Sequence, residues 1–237
     1  MSLHVFEALR SRLVVSCQAY PGEPMRDPRI MTAVARAVAE GGAAAIRAQG
    51  IEDLLAIRAE VEIPIIGLVK RGDGGVFITP TRADCIEVAR TGVEIVALDG
   101  TKRPRPDGTS LHDCIAAIHE HGALAMADCG STEDATASIA AGADCVGTTL
   151  AGYTQARPLT QGPDFDLLRD MVAISDVPVL AEGRITTADD AARALRLGAF
   201  AVVVGSAITH PTSITRRFVA AISEVESTHR AIGSTWR

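Results

Sequence analysis

The stretch PVLAEGRITTADDAARALRLGAFAVVVGSAIT, residues 178–209, holds two short apolar runs, Pro178–Gly183 and Ala201–Ala207, with a helical pattern between them. Strands buried on both faces read as nearly continuous apolar runs, so these two are expected to lie in a parallel sheet joined by a crossover helix. Toward the N-terminus the same unit recurs. Further β-rich runs fall at Leu13–Gln18, Ala43–Ala48, Pro64–Arg71, Glu94–Gly100, Leu124–Cys129 and Cys145–Leu150, which makes eight. Helical spacings separate them, such as Ile30, Val34, Val38 before the second run and Ile214, Phe218, Ile222, Val225 after the last. The junctions GGAAAI, TGVEIV, HGALAM, AGADCV and LGAFAV repeat a Gly followed by small and apolar residues, and Gly is the residue expected just past a helix C-terminus. Eight such units predict an α/β fold, a single closed (β/α)8 TIM barrel spanning residues 1–237, rather than an open doubly wound sheet. Gly72–Gly75 and Arg103–Gly108 read as loops within it.

The composition agrees with one globular domain: 237 residues, 47% hydrophobic and 22% charged, which excludes disorder and collagen. The net charge is −6 and the basic residues are scattered, so neither nucleic acid nor an anionic membrane is an expected partner. Cys17, Cys85, Cys114, Cys129 and Cys145 are odd in number and contain no CxxC pair, which argues against disulfides and structural zinc and for a reducing cytoplasm. No segment approaches the ~20 apolar residues of a membrane span, and the N-terminus has no signal-peptide pattern. The histidines His4, His112, His119, His121, His210 and His229 show no metal-ligand spacing and are expected at the surface. No Walker loop or dinucleotide fingerprint follows any run, so no metal and no cofactor is expected. The sequence leaves a homodimer open.

Barrel sites lie where the strands end, and the polar residues there are Gln18, Arg47, Lys70, Asp99, Asp128, Thr148–Thr149, Glu182 and Gly205–Ser206. Period-two alternation puts Ile66, Leu68 and Lys70 on one face, and likewise Leu124, Met126, Asp128 and Pro178, Leu180, Glu182. With the apolar members inside, Lys70, Arg47, Asp128 and Glu182 converge on the mouth. Any one of them alone could simply be a rim ion pair, but four charges in a water-poor mouth are a costly way to gain stability. In the last two units, the N–H groups of Gly183, Arg184, Gly205 and Ser206 are suited to cradle a phosphate dianion. The plainer alternative is that these glycines make tight turns and Ser206 caps a helix.

These residues sit in ordered blocks along nearly the whole chain: VSCQAYPGEPM (15–25), IMTAVARAVAEGGAAAIRAQG (30–50), PIIGLVKR (64–71), FITPT (77–81), ALDGTKRPRPDG (97–108), MADCGST (126–132), GTTLAGYT (147–154), PDFDLL (163–168), PVLAEGRITT (178–187) and VVVGSAIT (202–209). In them the chain resembles the N-acylglucosamine-6-phosphate 2-epimerase family. The resemblance implies the barrel fold, an N-acylhexosamine 6-phosphate substrate, and interconversion of N-acetylmannosamine and N-acetylglucosamine 6-phosphates in amino-sugar and sialic acid catabolism. It implies Lys70 and Glu182 as the catalytic pair, with Gln18, Arg47 and Asp128 binding the sugar or positioning its groups.

Inversion at C2 means removing the hydrogen α to the open-chain aldehyde and returning it on the opposite face. Strands three and seven lie across an eight-stranded barrel from each other, which suits a two-base exchange between Lys70 and Glu182. The lysine must be neutral to abstract the proton, so burial or a neighbouring cation such as Arg47 must lower its pKa from ~10.4. In a one-base variant, Lys70 serves both faces and Glu182 opens the ring. Two other classes stay open: a Schiff-base aldolase using Lys70, and a phosphosugar-binding barrel without catalysis.

Overall fold

The computed structural model describes residues 2–72 and 74–232, with side chains between 4 and 225; the side chain of His229 and both extremes of the expected 1–237 domain lie outside them. In chain order the elements are α1 (Ser2–Leu9), β1 (Leu13–Cys17), α2 (Pro28–Glu40), β2 (Ala45–Gln49), α3 (Ile51–Arg58), β3 (Ile65–Leu68), α4 (Arg82–Ala89), β4 (Ile95–Asp99) and α5 (Leu111–Glu120). They continue with β5 (Leu124–Asp128), α6 (Thr132–Ala140), β6 (Cys145–Gly147), α7 (Phe165–Ile174), β7 (Val179–Glu182), α8 (Ala188–Arg196), β8 (Ala201–Val204), α9 (Ser206–Thr209) and α10 (Pro211–Ile232). All eight strands are parallel and form a closed barrel in sequence order, β8 returning to β1 with Leu13 opposite Val202 and Val15 opposite Val204.

Strand alternation divides the core into two layers. Val14, Ala45, Ile66, Leu68, Ile95, Ala97, Met126, Cys145, Leu180, Ala201 and Val203 fill the barrel interior, and Val5 and Leu9 of α1 join them, plugging the end away from the strand C-termini. The alternate residues, among them Val15, Ile46, Ile65, Val96, Leu98, Val146 and Val202, pack outward on Met31, Leu54, Ile57, Val88, Ile115, Leu167 and Met171 of the helices. Each such side chain, fully buried, is worth about 1.5–3 kcal/mol. All five cysteines are buried and free, Cys17 within the outer layer as expected of a packing residue.

The two ends of the barrel are punctuated differently. At the strand C-terminal end, Asp27, Thr81, Ser110, Ser131, Asp164 and Thr187 cap α2 and α4 to α8 by accepting a backbone N–H, Thr187 with Asp190 forming a capping box. At the other end the repeated glycine takes the left-handed conformation past α2, α4, α5, α6 and α8, as at Gly142 with φ 101°.

Three expectations need correction. The run Pro64–Arg71 is not one strand: parallel pairing ends at Leu68, and residues 69–71 turn into a hairpin with 77–79, held by Thr79 N–H to Val69 O (2.7 Å) and Arg71 N–H to Phe77 O (3.0 Å). Asp99 N–H donates to Ile78 O, so the hairpin fills the rim between β3 and β4. The sixth and eighth runs also stop early, at Gly147 and Val204, because Thr148 and Gly205 begin the loops to the next helices. Helix α10 forms as expected from its spacing, and its apolar side is uncovered: Phe218, Val219, Ile222 and Val225 are each more than half exposed.

Candidate active site

Arg47 lies in β2, facing inward after Ala45, and it is buried. The small interior side chains of Ala45, Ala97 and Ala201 leave room for it to cross the barrel to β5 and β7. There Nη1 and Nη2 grip Asp128 Oδ1 and Oδ2 at 3.1 and 2.6 Å, and Nη1 lies 3.0 Å from Glu182 Oε2. On β6, Gly147 leaves room beside these groups: a Cβ there would come within 2.6 Å of Met126 Cε, which would have to shift.

One cation shared by two buried carboxylates leaves the cluster a positive charge short. Burial first and Asp128 second push the Glu182 carboxyl up, to about 7, against the pull of Arg47. Lys70 enters from the hairpin after β3 with its side chain on the Ile66–Leu68 face; burial and then the Arg47 cation bring it down to about 8. Arg47 itself is held firmly protonated by Asp128 and Glu182 in spite of its burial. β3 and β7 are four strands apart in the ring, so Lys70 and Glu182 face each other across the mouth. Burial thus brings their pKa values to within about one unit of each other.

Several neighbours fix this arrangement. Thr148 Oγ1 donates to Glu182 O at 2.8 Å and accepts from Glu182 N–H at 2.9 Å, tying the end of β7 to β6. Thr149 Oγ1 lies 2.6 Å from Asp128 Oδ1 and 3.2 Å from Glu182 Oε2. Gln18, half-buried just past β1, donates through Nε2 to Ser16 Oγ. The Tyr20 ring stands 5.1 Å from Lys70 Nζ, and Glu23 holds Tyr20 in place by accepting its backbone N–H. Glu23 in turn pairs with His210 at 2.6 Å, and His210 Nδ1 accepts the Ser213 N–H at the start of α10. His210 is thus buried, contrary to the surface position expected for it, because it clasps the loops that follow β1 and β8.

Gly183 has φ 106° and Arg184 has φ 55°. The N–H groups of Gly183, Arg184 and Ser206 donate to no other protein group among the described residues. The Arg184 guanidinium is committed elsewhere: it donates to Gly162 O, Ala151 O and Thr160 Oγ1 and lies over the Tyr153 ring, which pins the loop between β6 and α7. Gly205 packs against β1, where a Cβ would lie 3.1 Å from Ser16 Cβ. Asp99, also at a strand end, is consumed inside its own loop by Thr101 and Arg103.

The structure thus gathers Lys70, Arg47, Asp128 and Glu182 in one cluster, with Gln18 and the Gly183 and Gly205 loops at its rim. Sequence reasoning gave no role to Thr149, Tyr20, Tyr153 or the Glu23–His210 pair. Thr149 stood out as a strand-end polar residue, and the chain has only two tyrosines, both on mouth loops, which was the available signal.

The N-acetylmannosamine-6-phosphate epimerase family model, NanE, matches residues 31–224. The chain is 51% identical over 217 residues to an N-acetylmannosamine-6-phosphate 2-epimerase of Cutibacterium acnes, covering 90% of this chain and 95% of that one. A relative of the same name from an Enterobacter species is 47% identical over 234 residues, covering 96% and 99%. Among solved structures, the N-acetylmannosamine-6-phosphate 2-epimerase of Clostridium perfringens superposes with a TM-score of 0.90 at 44% identity, over 92% of this chain and 96% of that one.

Proposed function

The chain belongs to the N-acetylmannosamine-6-phosphate epimerase family and is by that membership an isomerase, and we propose that it inverts C2 of N-acetylmannosamine 6-phosphate to give N-acetylglucosamine 6-phosphate. The observation that carries this reading is the pairing of Lys70 and Glu182, desolvated and facing each other at the ends of opposite strands. The open-chain sugar lies between them with its aldehyde toward the Arg47 cluster. Neutral Lys70 removes the C2 proton, the electron pair moves into an enolate, and Glu182 delivers a proton to the other face; the reverse reaction exchanges the roles. Both terminal nitrogens of Arg47 are taken by carboxylates, so it stabilises the enolate through its charge. The step is internally balanced in protons and electrons and needs no redox cofactor.

The 6-phosphate is placed against the N–H groups of Gly183, Arg184, Gly205 and Ser206, and Gln18 and Asp128 orient the sugar. The five buried free thiols suit a reducing cytoplasm, and among the described residues no helix is long and apolar enough to cross a membrane. The whole chain, residues 1–237, acts as one catalytic domain, in amino-sugar and sialic acid catabolism. Its assembly is a homodimer built on the uncovered side of α10.

The test is proton NMR of N-acetylmannosamine 6-phosphate with the protein in D₂O. The expected result is appearance of the C2 epimer with deuterium at C2, abolished in Lys70→Ala. Glu182→Ala should exchange deuterium into one epimer without inverting it. Near-normal turnover in both variants would falsify the pair.

A further inference from the structure

The Thr149 hydroxyl touches both carboxylates of the cluster and is unused in the mechanism above. It has one proton and two oxygens in reach, Asp128 Oδ1 at 2.6 Å and Glu182 Oε2 at 3.2 Å, so it donates to one of them at a time. Arg47 Nη1 approaches the same two oxygens, at 3.1 and 3.0 Å. Each is therefore held between a fixed cation and a hydroxyl that can rotate. Glu182 Oε1 has no hydrogen bond among the described residues, although the Glu182 side chain keeps a 13% opening to the mouth.

We propose that Thr149 is a positioning residue of the epimerase: it anchors Oε2 of Glu182 so that Oε1 is the oxygen presented to C2 of the sugar, and its proton follows the charge. When Glu182 is ionised the hydroxyl turns to it. When Glu182 holds a proton the hydroxyl serves Asp128 alone. A rotation about one bond thus compensates each change of charge on Glu182 during turnover, with no movement of Arg47. The inference rests on the C2 epimerase reading for its kinetics but not for the placement of the carboxyl.

Thr149→Val keeps the shape and removes the proton, and Thr149→Ser restores the hydroxyl. The valine variant should lose about tenfold to a hundredfold in kcat, the scale of a misoriented reacting group, with KM within about threefold of wild type. Loss of a donor disfavours the carboxylate, so the pH transition of Glu182 should move upward in the valine variant and return in the serine variant. The transition is read by ¹³C NMR titration of protein labelled at the glutamate side-chain carboxyls, with Glu182→Gln assigning the resonance. An unmoved titration in Thr149→Val, a wild-type kcat there, or a serine variant as impaired as the valine variant would overturn the proposal. If wild-type protein fails to interconvert the sugars while the titration still moves in the valine variant, the epimerase reading falls and the anchoring by Thr149 stands.

Discussion

Lys70 and Glu182 start from side-chain pKa values some six units apart in water, and burial in the mouth brings them to about 8 and about 7. In the proposed two-base mechanism the reacting state holds one proton between the two groups, either as a neutral-lysine, protonated-carboxyl pair or as its counterpart after transfer. As pH rises through about 7 the carboxyl releases its proton, and through about 8 the lysine does. The one-proton state is therefore most populated between those values. A plot of kcat/KM against pH should be bell-shaped with its maximum there, falling roughly tenfold per unit outside, and its limbs belong to the coupled pair. A profile flat from pH 6 to pH 9 would contradict this. At this scale the sequence is informative where a side chain's direction follows from strand alternation, which is why Arg47, Asp128 and Glu182 are found by counting in twos, and Lys70 with them because its bridge to Ile78 keeps the chain extended past β3. Thr149 and His210 escape that count. Both lie past the last strand residue, where alternation no longer sets direction, and the partner of His210 is 187 residues away.

Among the elements, the loops after β7 and β8 carry the phosphate assignment. Gly205 has an ordinary negative φ, and its constraint is space: a Cβ there would press on Ser16 of β1. Gly205→Val should displace the loop and raise KM for the 6-phosphate by about tenfold or more, while leaving activity toward unphosphorylated N-acetylmannosamine little changed. An unchanged KM would move the phosphate elsewhere. The eight strands themselves were legible because double burial writes an apolar run into the chain. Strand ends were less so. The hairpin at 69–79 continues the apolar run of β3 past its last parallel pairing, and what separates the two is the long-range bond from Asp99 N–H to Ile78 O, which no local pattern encodes.

For the molecule as a whole, the count of eight strand–helix units, supported by the repeat of glycine junctions, predicted a closed ring. Periodicity in α10 predicted its helix and its apolar side, but not what that side would meet. In the structure Phe218, Val219, Ile222 and Val225 face solvent, and an exposed apolar stripe of this kind marks a contact surface. Sedimentation of the protein at micromolar concentration should give a dimer, and Phe218→Glu with Ile222→Glu should give a monomer with the barrel intact. A wild-type monomer would remove the assembly proposed here.

The clasp between Glu23 and His210 bears on the order in which the molecule is made. Around the ring, β8 and β1 form the one neighbouring pair not joined through a single crossover; their closure brings together residues from the two ends of the chain. That junction is fastened by Glu23–His210, by Thr209 Oγ1 donating to Ser16 O and by Ser11 N–H donating to Phe200 O, over separations as long as 193 residues. Loop closure over such a span costs more chain entropy than any junction between consecutive strands, so the closure of β8 on β1 is the last junction expected to form. Tyr20 is held beside Lys70 through Glu23. Lys70 precedes His210 by most of the chain, so it is made well before the clasp that closes the ring. On the proposed mechanism, the burial that lowers the Lys70 pKa therefore comes only with the finished barrel.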